Sequence, residues 1–183
     1  MKYLSLLLLI SITMGCGYRW GDEGSLQKYR TISVPYVIGD WSGSLTAALV
    51  KEISVSGVFA YSAEGSVTLR VRVIDYDDEN IGFQYDRNKE GKIKNILLPD
   101  ETRTTALAEV TLIETISGRT LLGPVQIAAD VAFDHDYYAT RHRVNVFSLG
   151  QLTDIDAAHD AAMKPLHCRL AKKIVEYLLV NVY

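Results

Sequence analysis

Two histidines lie in the most polar and aromatic stretch of the sequence, DHDYYATRHR at residues 134–143. Asp134 and Asp136 flank His135, and His142 follows within the same stretch. Imidazole and carboxylate groups bind metal ions and transfer protons near neutral pH, so these residues could serve a periplasmic metal-dependent hydrolase. No third ligand follows at a recognisable spacing. The pattern therefore favours a solvated loop after a strand over a metal site.

A second set of potential ligands occurs in the last predicted helix. His159, Met163 and His167 are spaced four residues apart and would share one helix face, where they could hold a soft metal ion. Pro165 lies between the last two and disturbs this geometry, because proline has no N–H to donate and its ring clashes with the preceding turn. No P-loop or other catalytic motif accompanies these residues. We therefore expect a protein that is not an enzyme and holds no cofactor.

Basic residues concentrate in the polar stretch DYDDENIGFQYDRNKEGKIKN, residues 75–95. Its cations are Arg87, Lys89, Lys92 and Lys94. Charged side chains in a long polar segment usually serve solvation, but the same group could bind phosphate. Arginine would bind phosphate best, because its planar guanidinium presents two parallel N–H donors.

The N-terminal segment indicates where the protein acts. Lys2 precedes a short apolar run, LSLLLLISI at residues 4–12, and Gly15 precedes Cys16. The run is too short for a permanent transmembrane helix, which needs about 20 apolar residues. A positive start, a brief apolar segment and a small-residue exit are typical of a secretory signal peptide. A buried first strand or helix with an incidental cysteine is the alternative.

The position of Cys16 is similar to the lipidation site of bacterial lipoproteins. We therefore expect residues 1–15 to be a lipoprotein signal peptide and residues 16–28 to be a lipidated tether. Two or more acyl chains on Cys16 would anchor the protein stably in a membrane. Gly17 follows instead of the Asp that signals inner-membrane retention in many bacteria. The resemblance thus favours the periplasmic face of the outer membrane.

The rest of the chain has the composition of one acidic globular domain. Loss of Lys2 from the 19 basic residues leaves 18 against 22 acidic ones, a net charge of −4. This balance argues against binding to nucleic acid. Cys168 is the only other cysteine, so neither an internal disulfide nor a paired-cysteine metal site is expected. Residues 29–183 are enough for a single domain with its own core.

The first half of this domain combines strand and helix patterns. Apolar and polar residues alternate over residues 31–37 and 67–74, which predicts two half-buried strands. Pro35 marks the first as an edge strand or a strand end, because it cannot donate to a sheet. A helix is expected to begin near residues 42–44 and to end at Gly57, with one apolar stripe at Leu45, Ala48, Leu49 and Ile53.

The second half predicts a hairpin and a final helix. Residues 75–95 favour a long loop or mobile hairpin, whereas alternation predicts strands over residues 104–116 and 125–133, joined by the turn SGR. The stretch 134–152 has no clear period. A helix is then expected over residues 154–180, kinked or restarted at Pro165, with its apolar stripe at Leu166, Leu170, Ile174, Tyr177 and Leu178.

Together these elements predict an α+β fold. Two amphipathic helices would pack on a four-stranded, mostly antiparallel sheet, which gives a two-layer sandwich.

The whole pattern resembles the LptE family of lipopolysaccharide-assembly lipoproteins. The matching stretches are CGY at the lipidated cysteine, TISVPYV, SLTAALVKEISVSGVF, VTLRVRVIDYD, VTLIETISGRTLLG and the C-terminal RLAKKIVEYLL. The resemblance covers residues 16–180. The strand and helix at the start are also similar to penicillin-binding-protein activator lipoproteins of the LpoB type. Membership of that group would make the partner a peptidoglycan synthase.

The LptE resemblance implies a binding protein that is not an enzyme. Proteins of this family sit in or against the lumen of LptD, the large outer-membrane β-barrel that inserts lipopolysaccharide, and they contact lipopolysaccharide themselves. A net-acidic member needs a local basic patch to meet this anionic lipid. The candidate lipopolysaccharide-binding residues are Arg87, Lys92, Lys94 and Arg103, with Arg119 as a second choice.

Overall fold

The computed structural model describes residues 26, 28–88, 90–135 and 155–182. Cys16 with the whole signal-like segment, and His142 with the rest of residues 136–154, lie outside the described residues. The described part contains five strands and two helices. They are β1 (Thr31–Ser33), α1 (Ser44–Ser56), β2 (Ala60–Tyr61), β3 (Val67–Arg87), β4 (Ile93–Glu114), β5 (Thr120–Asp134) and α2 (Ile155–Val182).

The strands form one mixed sheet in the order β2-β1-β3-β4-β5. The pairs β3–β4 and β4–β5 are antiparallel, whereas β1 runs parallel to both β2 and β3. The predicted α+β class and the two helices packed on a sheet are confirmed. The expected number of four strands is too low by one. Alternation could not reveal β2, because a strand of two exposed residues has no period to detect.

The first strand is shorter than its alternation predicts. It ends at Ser33, and Pro35 follows this end rather than marking an edge of the sheet. Beyond it, Val37 is buried while Tyr36 is 61 % exposed, so the strand predicted over residues 31–37 does not continue past Ser33. The chain instead bends toward β3, where Ile38 makes an isolated parallel bridge to Arg72.

Of the two structures expected for the polar stretch 75–95, a long loop or a hairpin, the hairpin is the one that forms. Strands β3 and β4 stay paired from Val67 opposite Glu114 to Arg87 opposite Ile93, with several register shifts on the way. A turn closes the hairpin, with the Asn88 N–H donating to the Lys92 carbonyl at 2.9 Å. Main-chain hydrogen bonds between the strands hold this part together, and most of its side chains are exposed.

Among the described residues, no third strand lies beside the outer part of this hairpin. Strand β5 ends at Asp134, which pairs with Glu101, and residues 83–88 and 90–99 extend beyond this pair. We call this part the arm. At 3.3 Å per residue its length is about 20 Å.

The helices cover one side of the sheet and enclose the core. Helix α1 buries the predicted stripe Leu45, Ala48, Leu49 and Ile53. Helix α2 runs without a break through Pro165, which lies on its exposed side, and buries Leu166, Leu170, Ile174 and Leu178. The sheet contributes alternate residues of its central strands, such as Leu69 and Ala108, both fully buried. The other side of the sheet carries polar residues, including Arg70 and Arg72.

Helix α2 also covers the free edge of β5. The Arg169 guanidinium donates to the carbonyl of Asp130, and the Lys173 ammonium donates to the carbonyl of Ala128, each at 2.8 Å. Cys168 is exposed on this helix.

The face assignment of β3 leads to a stability test. Leu69 is fully buried, whereas its neighbour Arg70 is exposed on the opposite side. Leu69→Ala removes buried apolar groups and leaves a cavity, so it should lower the free energy of unfolding by about 2–5 kcal/mol. Arg70→Ala, the control, should change it by less than about 0.5 kcal/mol. Urea unfolding followed by circular dichroism measures both, and equal losses would contradict the assignment.

Candidate functional site

The predicted lipopolysaccharide-binding residues fall into three separate places. Arg87, Lys92 and Lys94 lie together at the end of the arm. Arg103 lies in the middle of β4, where it pairs with Glu79 and Ala132 in the sheet. Arg119 follows the turn between β4 and β5, at the other end of the long strand. Five residues in these positions do not form one patch, so the arm tip is the strongest candidate.

These cations also differ in whether a carboxylate of the protein already pairs with them. The ammonium of Lys94 lies 2.8 Å from the carboxylate of Asp86, a buried group. Arg103 and Arg119 face Asp130 and Glu114, respectively, at 4.0 Å and 3.8 Å. Within the described residues, Arg87 donates only to the carbonyl of Gly91, at 3.1 Å, and the ammonium of Lys92 forms no hydrogen bond or ion pair. Arg87 and Lys92 are therefore the cations best placed to receive an external anion.

An apolar surface lies next to these two cations. Phe83 pairs with Pro99 and Tyr85 pairs with Leu97, and Arg87 pairs with Ile93 farther along the arm. The side chains of Phe83, Tyr85, Ile93 and Leu97 are all more than half exposed. Sequence reasoning missed this surface, because the polar composition of residues 75–95 concealed the alternation of Phe83 and Tyr85. The arm thus combines exposed apolar groups with positive charge at its tip.

The chain enters the sheet at the end opposite the arm. Tyr29 is buried just before β1, and its hydroxyl donates to the carboxylate of Glu114 at 2.6 Å. Hydrogen bonds from Ser117 and from Tyr29 keep the pKa of Glu114 below its usual value, and Arg119 and Lys28 act in the same direction. The point of entry from the N-terminal segment is therefore fixed beside the turn between β4 and β5. The tip of the arm points away from it.

The histidines do not come together within the part of the chain that the structure describes. His135 is buried, and its Nε2 lies 2.9 Å from the hydroxyl of Thr102. His159 faces Asp78 at 3.8 Å, whereas His167 lies against Ser44 and Tyr76. No group of three or more potential metal ligands occurs among the described residues. The spacing of His159, Met163 and His167 therefore does not produce a shared site.

A buried polar cluster joins α1, α2 and β3. The carboxylate of Asp40 accepts hydrogen bonds from the main-chain N–H of Thr46 at 2.8 Å and from its hydroxyl at 2.9 Å, and thus satisfies a main-chain donor in the first turn of α1. On the neighbouring helix, His167 contacts the hydroxyl of Ser44 through Nδ1 and that of Tyr76 through Nε2, the latter at 2.8 Å. Sequence reasoning missed this cluster, because its members are spread over residues 40–167.

The contact of Ser44 with His167 is half of the arrangement that activates a catalytic serine. In a hydrolase the second imidazole nitrogen donates to a carboxylate, which orients the ring. Here that nitrogen faces the hydroxyl of Tyr76, and His167 is only 3 % exposed. The cluster fits a structural role, in which each polar group satisfies another inside the core.

Burial sets the protonation of this cluster. Desolvation lowers the pKa of His167, and the opposing effect of the Asp40 carboxylate is smaller. Desolvation by itself would raise the pKa of Asp40, but hydrogen bonds from Thr46 and Ser42, with His167, outweigh it and hold that pKa below its usual value. Burial and the Asp40 charge both raise the pKa of Tyr76. A neutral imidazole beside an ionised carboxylate is therefore the favoured state at neutral pH.

A cleft of about 760 Å³ opens on the polar side of the sheet. Its hydroxyl groups are engaged with one another: Thr68 lies 2.8 Å from Ser33 and 2.9 Å from Thr115. Thr31 and Ser66 form a similar pair at 3.2 Å. These contacts connect β1 to β3 and to the segment that follows β4. The hydroxyl groups of the cleft therefore satisfy one another, and their positions do not require a bound ligand.

Comparison with solved structures places the fold among bacterial lipoproteins. Rare lipoprotein B from Shewanella oneidensis is similar over 83 % of this chain and 96 % of its own, with a TM-score of 0.50 and 11 % sequence identity. The minor lipoprotein from Acinetobacter baumannii is similar over 84 % and 95 %, with a TM-score of 0.47 and 16 % identity. No family model matches the sequence, and no curated protein matches it.

These likenesses concern the fold. At 11 % identity the similarity to rare lipoprotein B shows a shared architecture and no shared site. Among the helices that the structure describes, none is both long and apolar enough to cross a membrane.

The buried imidazole gives a testable pH dependence. The pKa of His167 is lower in the folded protein than in the unfolded chain, so between the two pKa values the unfolded chain binds more protons. The contribution of His167 to the free energy of unfolding is therefore fully present above about pH 6.5, the ordinary pKa of histidine. It decreases as the pH falls below that value. His167→Gln, which keeps polar contacts but cannot titrate, should remove this decline. Thermal unfolding between about pH 7.5 and pH 5 tests it, and an unchanged slope in the variant would assign the effect elsewhere.

Proposed function

We propose that this protein is an outer-membrane lipoprotein of the LptE type, which acts as the partner or plug of an LptD-type barrel in the insertion of lipopolysaccharide. Residues 1–15 would be removed, and acylated Cys16 would hold the domain at the periplasmic face of the outer membrane. The fold shared with bacterial lipoproteins is consistent with this proposal. The LptE-type function within this proposal rests on the resemblance of the sequence stretches from CGY to RLAKKIVEYLL to the LptE family.

The amphipathic arm is the observation that carries the proposal. Lipopolysaccharide combines phosphate groups with acyl chains, so a complementary surface needs cations beside apolar groups. The arm offers Arg87 and Lys92 at its tip and the exposed side chains of Phe83, Tyr85 and Leu97 along one side. A charge-assisted hydrogen bond from arginine to phosphate is among the stronger polar contacts that a protein makes.

The position of the arm fits an anchored protein. The chain enters the sheet near Glu114, at the end opposite the arm. With the membrane anchor on that side, the tip of the arm would reach away from the anchored end toward a ligand passing along the protein.

The polar side of the sheet suits the lumen of a barrel. It carries hydroxyls such as Thr68 and the ion pair of Arg72 with Glu109, at 3.0 Å. The lumen of a large outer-membrane barrel is polar, and only barrels of about twenty or more strands are wide enough for a sandwich of this size. A plug needs such a rigid body with polar outer faces and no catalytic group.

Lipopolysaccharide binding should depend on the two available cations of the arm. Reversing both, in an Arg87→Glu, Lys92→Glu double variant, should weaken binding about tenfold or more, because two favourable contacts with phosphate become repulsive. The dependence of affinity on salt should also become shallower, since fewer charges take part. Titration of the purified protein with lipopolysaccharide at rising salt measures both effects.

The control is Arg119→Glu, a single charge reversal at the opposite end of β4, to be compared with Arg87→Glu alone as well as with the double variant. It should leave the affinity for lipopolysaccharide unchanged. If the control weakens binding equally, the effect is due to net charge alone. If the double variant binds lipopolysaccharide as tightly as the wild type, the arm does not contact this lipid.

The partner should be found by affinity purification of the full-length protein from detergent-solubilised outer membranes. An extensive barrel interface should survive a change from about 0.15 M to about 0.5 M salt. Depletion of the protein should reduce the amount of assembled barrel and make the outer membrane leaky. Recovery of a peptidoglycan synthase without a barrel would support the LpoB-type alternative. Stoichiometric zinc or copper in the purified protein would revive the metal-dependent hydrolase.

A further inference from the structure

An exposed group of apolar side chains lies on the connection between β1 and α1. We call residues 34–43, VPYVIGDWSG, the docking loop. Trp41 is 96 % exposed, Ile38 65 % and Tyr36 61 %. A tryptophan side chain offers roughly 150–250 Å² of surface for burial, and Trp41 buries almost none of it against the part of the chain that the structure describes.

Hydrogen bonds fix the docking loop on both sides of Trp41. Before it, the buried carboxylate of Asp40 accepts from Thr46, and its carbonyl accepts from the hydroxyl of Tyr36. After it, the hydroxyl of Ser42 donates to Asp40 at 3.2 Å and accepts the N–H of Ser44 at 3.2 Å. The tryptophan is thus held in place although its own side chain touches little.

The backbone of the loop is equally constrained. Ile38 exchanges main-chain hydrogen bonds with β3, donating to Val71 at 3.2 Å and accepting from Val73 at 2.8 Å. Gly39 has a φ of 88° and lies so close to β3 that an added Cβ would stand 3.2 Å from the Cβ of Val73. Gly43, with a φ of 72°, turns the chain into α1.

We propose that the docking loop is a preformed contact site for the barrel partner, with Trp41 as the anchor that enters an apolar pocket of that protein. The identity of the partner rests on the function proposed above. The site lies apart from the arm and would serve attachment rather than lipid binding. Its function would be to fix the orientation of this domain against the barrel.

Rigidity and aromatic character support a protein pocket as the occupant. Binding to a protein is strongest where an anchor is ordered before contact, since little conformational freedom is then lost. Tryptophan and tyrosine are enriched among the residues that contribute most to such interfaces. The pocket should be apolar, wide enough for an indole, and provided with an acceptor for its N–H at the rim.

The charge of the loop argues against a lipid surface as the occupant. Residues 34–43 contain neither lysine nor arginine, and their single charged group, Asp40, is buried. Segments that bind anionic membranes usually place basic residues beside their aromatic ones. A contact made without exposed charge should also be insensitive to salt, which separates it from the contact of the arm with phosphate.

A competition in cells tests this proposal with the full-length protein. A tagged variant is produced together with the untagged wild-type protein, and the ratio of the two is measured in the purified barrel complex and in total membranes. Trp41→Ala should lower the ratio in the complex about 30-fold, the loss typical of a main anchor residue. Trp41→Phe should recover most of it. Washing at about 0.15 M or about 0.5 M salt should give the same ratios.

Ile116→Ala is the matched control, because Ile116 is an exposed apolar residue on a different loop, 97 % accessible. It should leave the ratio unchanged. Trp41→Ala should also keep the circular dichroism spectrum and unfolding temperature of the wild type. Two results would refute the docking loop as a contact site without affecting the proposed function. In the first, Trp41→Ala enters the complex in the same ratio to the wild type as in total membranes; in the second, Ile116→Ala loses as much as Trp41→Ala. Absence of the wild-type protein itself from the barrel complex would refute both.

Discussion

The long antiparallel pairing of β3 with β4 is the constraint on which the rest of the structure depends. It begins at Val67 opposite Glu114 and continues to Arg87 opposite Ile93. In its first half alternate side chains such as Leu69 are buried under the helices, so the pairing carries the core. In its second half the same main-chain hydrogen bonds persist without that cover. One pair of strands thus supplies both the base on which the helices pack and the arm that extends from it.

The two candidate contact surfaces depend on this pair in different ways. The arm is the end of the pair itself, and its properties follow from which side chains the strands leave uncovered. The docking loop is attached to the side of β3 through Ile38 and is braced from α1 through Asp40. Asp40 lies near His167 on α2, which in turn contacts Tyr76 of β3. A buried polar cluster therefore links the exposed tryptophan to both helices and to the central strand.

Much of the fold could be predicted from the sequence, because burial leaves a period in it. Spacing alone correctly predicts the stripe of α1, and the strand expected over residues 104–116 forms the inner part of β4. The prediction failed for β2, which has two exposed residues. It left the arm open between a loop and a hairpin, because main-chain hydrogen bonds rather than burial hold this part together. Of the candidate site, the charges of the arm tip were recognised. The apolar residues beside them and the fixed position of Trp41 depend on strand register and on contacts distant in sequence, which no local pattern records.

The covering of the β5 edge by α2 has a consequence for a protein proposed to lie against the strands of a β-barrel. An uncovered edge presents free carbonyls and N–H groups to which any extended segment can add. Arg169 and Lys173 occupy the carbonyls of Asp130 and Ala128, so this side of the sheet is not an open template. At the opposite edge of the sheet, β2 has only two residues, too few to pair with an added strand over any length. Next to a barrel wall, the edge formed by β5 would therefore meet its neighbour through side chains and would not add a strand from it.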